Sequence, residues 1–153
     1  MDYSLLKKQT ESLADGSPWM ITLLANVSAL IMQEMDRINW AGFYLIREGE
    51  LVLGPFQGKP ACERIPIGRG VCGTAVAEDK IQRVEDVHMF AGHIACDSSS
   101  ESEIVLPLHD RDKVIGVLDI DSPEKGRFSE DDEQGLKQIV DVLEKTCQAW
   151  TET

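Results

Sequence analysis

Long apolar runs are missing from this chain. Apolar stretches such as residues 29–32 and 114–118 fall well short of the ~20 residues that cross a bilayer. The opening Met1-Asp2-Tyr3-Ser4 has no basic start leading into an apolar segment. A cytosolic protein is expected. Positive charge is scarce too: 15 Lys and Arg stand against 27 Asp and Glu, a formal net charge of −12. Binding to a phosphate backbone needs a clustered basic face, and the one basic pair, Lys7-Lys8, reads as the solvated side of a first helix. Cysteine is sparse as well. Four in 153 residues are too few for a disulfide scaffold. Cys62, Cys72, Cys96 and Cys147 form no Cys-x-x-Cys pair, and His93 with Cys96 gives a single isolated H-x-x-C. Neither a structural zinc clip nor a metal-dependent hydrolase fits that spacing.

What remains is an ordinary globular composition, 42% hydrophobic and 27% charged, sized for one domain over residues 1–153 with one core. Leu5, Leu6 and Leu13 predict a first helix over 3–14, closed by Asp15-Gly16. Ser17-Pro18 reads as the N-cap and first-turn proline of a second helix. Its core face runs through Trp19, Leu23, Val27, Leu30 and Ile31 to about residue 35. Residues 40–46 and 51–56 flank the turn signal Glu48-Gly49 and predict a hairpin. Ile65 and Ile67 suggest a short third strand, residues 73–77 a short helix, and 81–84 another strand.

Residues 85–103 show no sustained period, and a loop of that length in a small domain is usually functional. A second hairpin, 104–108 with 113–120, turns across His109-Asp110-Arg111-Asp112. Ser129 caps a terminal helix whose first turn is acidic, carried by Leu136, Ile139, Val140, Val142 and Leu143 to about residue 150. This order predicts an α+β domain: an antiparallel sheet with helices on one face and active loops on the other.

Cys96 lies in the aperiodic loop, outside any apolar periodic face. A nucleophilic cysteine needs exposure and hydrogen-bond donors or positive potential around the thiolate. His93 and the amides of a Ser-rich turn offer donors, while Asp97, Glu101 and Glu103 oppose ionisation. The residues alone leave a reactive and an inert thiol equally open. Cys72, flanked by Gly70 and Gly73, is either a small buried hydrophobe at a helix start or a second working thiol. Cys62 lies in a polar loop, and Cys147 on the terminal helix reads as packing. Asp119 and Asp121, two apart at a strand end, point to one side. Glu103 immediately precedes the strand at 104–108 and should sit at that strand's mouth. Such acids are either solvated turn residues or a site for an ammonium group and a proton. Trp40 and Tyr44 share the parity of one strand face and read as core or as a pocket wall.

Five segments then speak together: N-W-A-G-F-Y at 39–44, I-G-R-G-V-C-G at 67–73, G-H-I-A-C-D at 92–97, S-E-I-V-L-P at 102–107 and G-V-L-D-I-D-S at 116–122. In this order they resemble the free methionine-(R)-sulfoxide reductases, a family of single GAF domains. The glycine-rich and G-V-L-D-I-D-S segments are general to GAF domains, whereas H-I-A-C-D together with Cys62 and Cys72 is far more specific. The resemblance implies a GAF-like fold and thiol-dependent reduction of free L-methionine-(R)-sulfoxide. It gives Cys96 the attacking role, Cys72 the usual resolving role and Cys62 a third role that replaces or assists Cys72. It places Trp40 and Tyr44 on the pocket wall and Glu103, Asp119 and Asp121 at the substrate, with Glu103 or Asp121 supplying the proton. It further implies no metal or organic cofactor, an external reductant such as thioredoxin, and a homodimer. Two rivals keep the same fold or thiols: a sensor binding a small ligand such as a cyclic nucleotide, and a thiol switch acting on a partner protein.

Overall fold

The computed structural model describes residues 1–92 and 99–147. Its centre is a six-stranded antiparallel sheet in the order β3-β2-β1-β6-β5-β4. The strands are β1 (Trp40–Arg47), β2 (Glu50–Gly58), β3 (Arg64–Ile65), β4 (Gln82–Val84), β5 (Ser102–Asp110) and β6 (Lys113–Ser122). Helices α1 (Tyr3–Ala14), α2 (Met20–Glu34) and α4 (Glu130–Cys147) cover one face, and the short α3 (Gly70–Glu78) lies on the other. The expected architecture is present, and the short helix expected over 73–77 is α3, which starts three residues earlier at Gly70.

Both hairpins follow from their turns. Glu48 and Gly49 have φ of 53° and 80°, the two left-handed residues of a turn whose twist matches its strands. The second hairpin is tighter than its sequence suggests: β5 runs on to Asp110 and β6 restarts at Lys113, with Arg111 left-handed at φ 59°. The helix ends follow from caps. The Asp2 carboxylate accepts the Leu5 N–H at 3.0 Å. Ser129 Oγ accepts the Asp132 N–H at 3.2 Å, while Asp132 Oδ2 accepts the Ser129 N–H at 2.9 Å, a reciprocal box that begins α4.

Two expectations on the helices change. Ser17 does not cap α2. Its N–H donates to Ala14 O at 3.1 Å, so Ser17 closes the exit turn of α1 and α2 begins only at Met20. Trp19 takes the cap position without a side-chain bond, so its ring is exposed and Met20 enters the core instead. In α1 the buried stripe is Leu6, Thr10 and Ala14 at intervals of four, and Leu5 faces solvent.

The two sheet faces are built from alternate residues of the same strands. Ala41, Phe43, Leu45, Ile104, Leu106, Leu108, Leu118 and Ile120 join the helices in the larger core. Trp40, Tyr44, Val105 and Val117 turn the other way, toward Cys72 and Ala75 of α3. At about 1.5–3 kcal/mol per fully buried Leu or Phe side chain, the helix face carries most of the fold's stability. No helix among the described residues is long and apolar enough to cross a membrane.

Candidate active site

Three strands bring the site together through their register. On β1 and β6 Trp40 lies opposite Asp121, and on β5 and β6 Glu103 lies opposite the same Asp121. Two residues along β6, Asp119 lies between Gly42 and Val105. Strand parity holds here, so both aspartates share the α3 face, as their spacing predicts. Helix α3 lays Cys72 over them. Cys72 Sγ donates to Glu103 Oε2 at 3.8 Å, and a carboxylate oxygen from each of Glu103 and Asp119 lies within 4.8 Å of that sulfur and of the other.

An aromatic wall flanks the acids. Trp40 is 2% exposed, stacked between Tyr44 with centroids 6.0 Å apart and Phe56 at 5.1 Å. Its Nε1 donates to Lys59 O at 3.1 Å, and the Tyr44 hydroxyl donates to Cys62 O at 2.9 Å. Each ring is fixed at its polar end, as buried Trp and Tyr require. Phe56 escaped the sequence reading for a specific reason. The β1–β2 register shifts between Gly42 and Tyr44, with three steps of β2 opposing two of β1 around Gly54-Pro55. Alternation counted from Leu51 therefore puts Phe56 on the wrong face. Gly42 was the available signal. A Cβ there would lie 2.3 Å from Phe56 Cβ, so only glycine lets Phe56 settle beside Trp40.

Burial sets the electrostatics. Glu103, Asp119 and Cys72 are 8%, 5% and 4% exposed. Loss of water, then the charge of Asp119, lifts the Glu103 carboxyl well above its ordinary range. Burial, then the charge of Asp121, raises Asp119 to about 8, although hydrogen bonding with Glu103 and Cys72 draws it part of the way back. Asp119 Oδ1 itself is buried with no hydrogen-bond partner among the described residues. The Cys72 thiol is pushed well up by burial and then by Asp119, Glu103 and Asp121, so it is held as a neutral thiol. Burial also raises the Tyr44 hydroxyl, which stays protonated. At neutral pH the pocket thus holds neutral carboxyl groups that can donate a proton or, by losing one, bind a cation.

The other expected residues divide. Residues 93–98, with Cys96 and His93, lie outside the described residues. Both ends of that segment are tied at this site: Gly70 N–H at the start of α3 donates to Gly92 O at 3.1 Å, and Asn39 Nδ2, next to Trp40, donates to Ser99 Oγ at 3.1 Å. Cys62 is disulfide-bonded. Cys72 and Cys147 are buried free thiols. Cys147 donates to Glu144 O at 3.1 Å on α4, in keeping with a packing role.

Comparison with known proteins assigns this chain to a family. The GAF domain model matches residues 18–146. The free methionine-R-sulfoxide reductase of Escherichia coli is 59% identical over 94% of this chain and 87% of its own. This chain belongs to the free methionine-R-sulfoxide reductases. Among solved structures, the family's fRMsr of Staphylococcus aureus in complex with substrate aligns at 56% identity with a TM-score of 0.91, covering 95% of each chain. The Neisseria meningitidis free methionine-R-sulfoxide reductase in complex with its substrate aligns at 43% identity and a TM-score of 0.93, covering 96% of this chain and 89% of that one.

Proposed function

We propose that this chain reduces free L-methionine-(R)-sulfoxide to L-methionine, and that the buried Glu103–Asp119 pair beside Trp40 selects the free amino acid. That pair carries the reading. A methionine residue inside a polypeptide has no ammonium group, whereas the free amino acid brings one cation to the buried Glu103 and Asp119. Asp119, with Oδ1 unpartnered, and Asp121 hold the ammonium, which restores the negative charge that burial suppresses. Trp40 and Phe56 enclose the S-methyl end.

The Cys96 thiolate attacks the sulfoxide sulfur. Glu103, kept neutral by burial, protonates the departing oxygen. Oxygen passes to sulfur, methionine leaves, and Cys96 becomes a sulfenic acid, itself reducible by a second thiol. That second thiol condenses with it, releasing water and forming a disulfide. Cys62 fits this step better than Cys72, because Cys62 is the cysteine found in a disulfide while Cys72 is a buried thiol with depressed acidity. A dithiol protein such as thioredoxin, in the cytoplasm, then exchanges with the disulfide and restores both thiols. No metal or organic cofactor enters the cycle. A cyclic-nucleotide sensor is disfavoured because the pocket offers acids and no basic side chain among Trp40, Tyr44, Cys72, Glu103 and Asp119 to pair with a phosphate.

Turnover of free L-methionine-(R)-sulfoxide with dithiothreitol tests the reading. Wild type turns over, Cys96→Ser does not, and one round of substrate without reductant leaves Cys62 disulfide-bonded by mass mapping. An inactive, folded and reduced wild type overturns the reductase; an active Cys96→Ser displaces its nucleophile.

A further inference from the structure

The thiol cycle leaves Cys72 without a chemical task, although its sulfur points into the acid pair. We propose that Cys72, Glu103 and Asp119 form a site for a thiophilic divalent cation, with Zn²⁺ as the fitting ion, and that this ion competes with the substrate's ammonium group. The second half of that proposal rests on the reductase reading; the first half does not.

Geometry supports the site. Tetrahedral zinc with Zn–S of about 2.3 Å and Zn–O of about 2.1 Å places sulfur and oxygen about 3.6 Å apart. Cys72 Sγ and Glu103 Oε2 are 3.8 Å apart, and the third donor, from Asp119, is within 4.8 Å of both. Small side-chain rotations therefore close the triangle. The donors stand on α3, β5 and β6, not on loops, so the site is held by the scaffold. All three residues are more than nine-tenths buried, and Asp119 Oδ1 has no hydrogen-bond partner among the described residues, a buried lone pair that costs free energy until something positive meets it.

The donor set chooses the class of ion. One sulfur with two carboxylates suits Zn²⁺ or Cd²⁺, whereas Ca²⁺ takes six to eight oxygens and Mg²⁺ near-ideal octahedral oxygen, often with several waters. Three protein donors leave a fourth position for water. An ammonium group and this ion claim the same Asp119 carboxylate, so the two exclude each other.

Cobalt(II) chloride added to the oxidised protein, with the Cys62 disulfide intact, provides the test. One equivalent of Co²⁺ is expected to give a thiolate-to-cobalt charge-transfer band. Cys72→Ser should abolish the band, Asp119→Asn should weaken binding at least ~10-fold, and Cys147→Ser should leave it unchanged. Saturating L-methionine should raise the apparent Co²⁺ dissociation constant at least ~10-fold. Absence of the band in wild type, or its persistence in folded Cys72→Ser, overturns the site. A band that L-methionine does not affect overturns the competition alone. Because the band is read without turnover, an inactive enzyme that still binds Co²⁺ would count against the reductase reading and not against the cation site.

Discussion

The two faces of β6 share one backbone and do opposite work. Leu118 and Ile120 enter an apolar core under the helices, while Val117, Asp119 and Asp121 turn toward the α3 face. On the helix face the buried side chains are mostly apolar and stabilise the fold, and the buried hydroxyls of Thr10 and Ser28 are bonded to helix carbonyls. On the other face burial is directed at carboxyl groups and a thiol, which oppose it. The site therefore draws its perturbed acids from a stability that the helix face supplies.

Substitutions that respect this division should split cleanly. Glu103→Gln keeps size and a hydrogen-bond donor but cannot deliver a proton, so kcat should fall ~10²–10⁴-fold with the melting temperature unchanged or raised. Steady-state kinetics alongside calorimetry reads both. Leu118→Ala, one residue from Asp119 but on the opposite face, should cost about 2–5 kcal/mol of stability in a denaturant titration. Its folded fraction should keep the wild-type KM. A comparable rise in KM would mean that the two faces are not independent.

A third test uses pH. A carboxyl group whose folded pKa is raised contributes its stability while protonated. For Asp119 that contribution is complete below about 4, the value for an unfolded Asp, and is lost as pH rises toward and through about 8. Asp119→Asn cannot ionise, so it should match wild type near or below about pH 4 and exceed it by several kcal/mol, on the order of 3–5, near pH 9, while binding substrate more weakly. Thermal melts at the two pH values check the sign. A variant less stable than wild type at pH 9 would contradict the electrostatic picture. The smallest effect belongs to Trp40→Phe, which keeps an aromatic ring but loses the Nε1 bond to Lys59 O; about 1 kcal/mol of stability and a few-fold rise in KM are expected.

Most of the fold was legible because its signals are local. The Glu48-Gly49 turn, the Ser129 cap and the parity of Asp119 with Asp121 each depend on a few neighbouring residues, and each appears as read. The failures came where a local rule met a competing one. Ser17 has a capping side chain, yet its backbone closes the exit turn of α1 and α2 begins only at Met20. Phe56 sits on the site face because the Gly54-Pro55 bulge reverses the alternation of β2. The distinction between Cys62 and Cys72 was not available to spacing at all. Both lie in glycine- or proline-punctuated segments, and only the packing of α3 shows that Cys72 is buried among acids while Cys62 lies in a disulfide.

Recognition of a free ammonium group by buried acids is the centre of this account. The direct measurement compares kcat/KM for L-methionine-(R)-sulfoxide with that for its N-acetyl derivative, which differs at the amine. Leaving the buried carboxylates without their cation should lower kcat/KM at least ~10²-fold, the order expected when one partner of a buried charge pair is removed. Equal values for the two substrates would show that Glu103, Asp119 and Asp121 do not read the amino group, and would contradict the account.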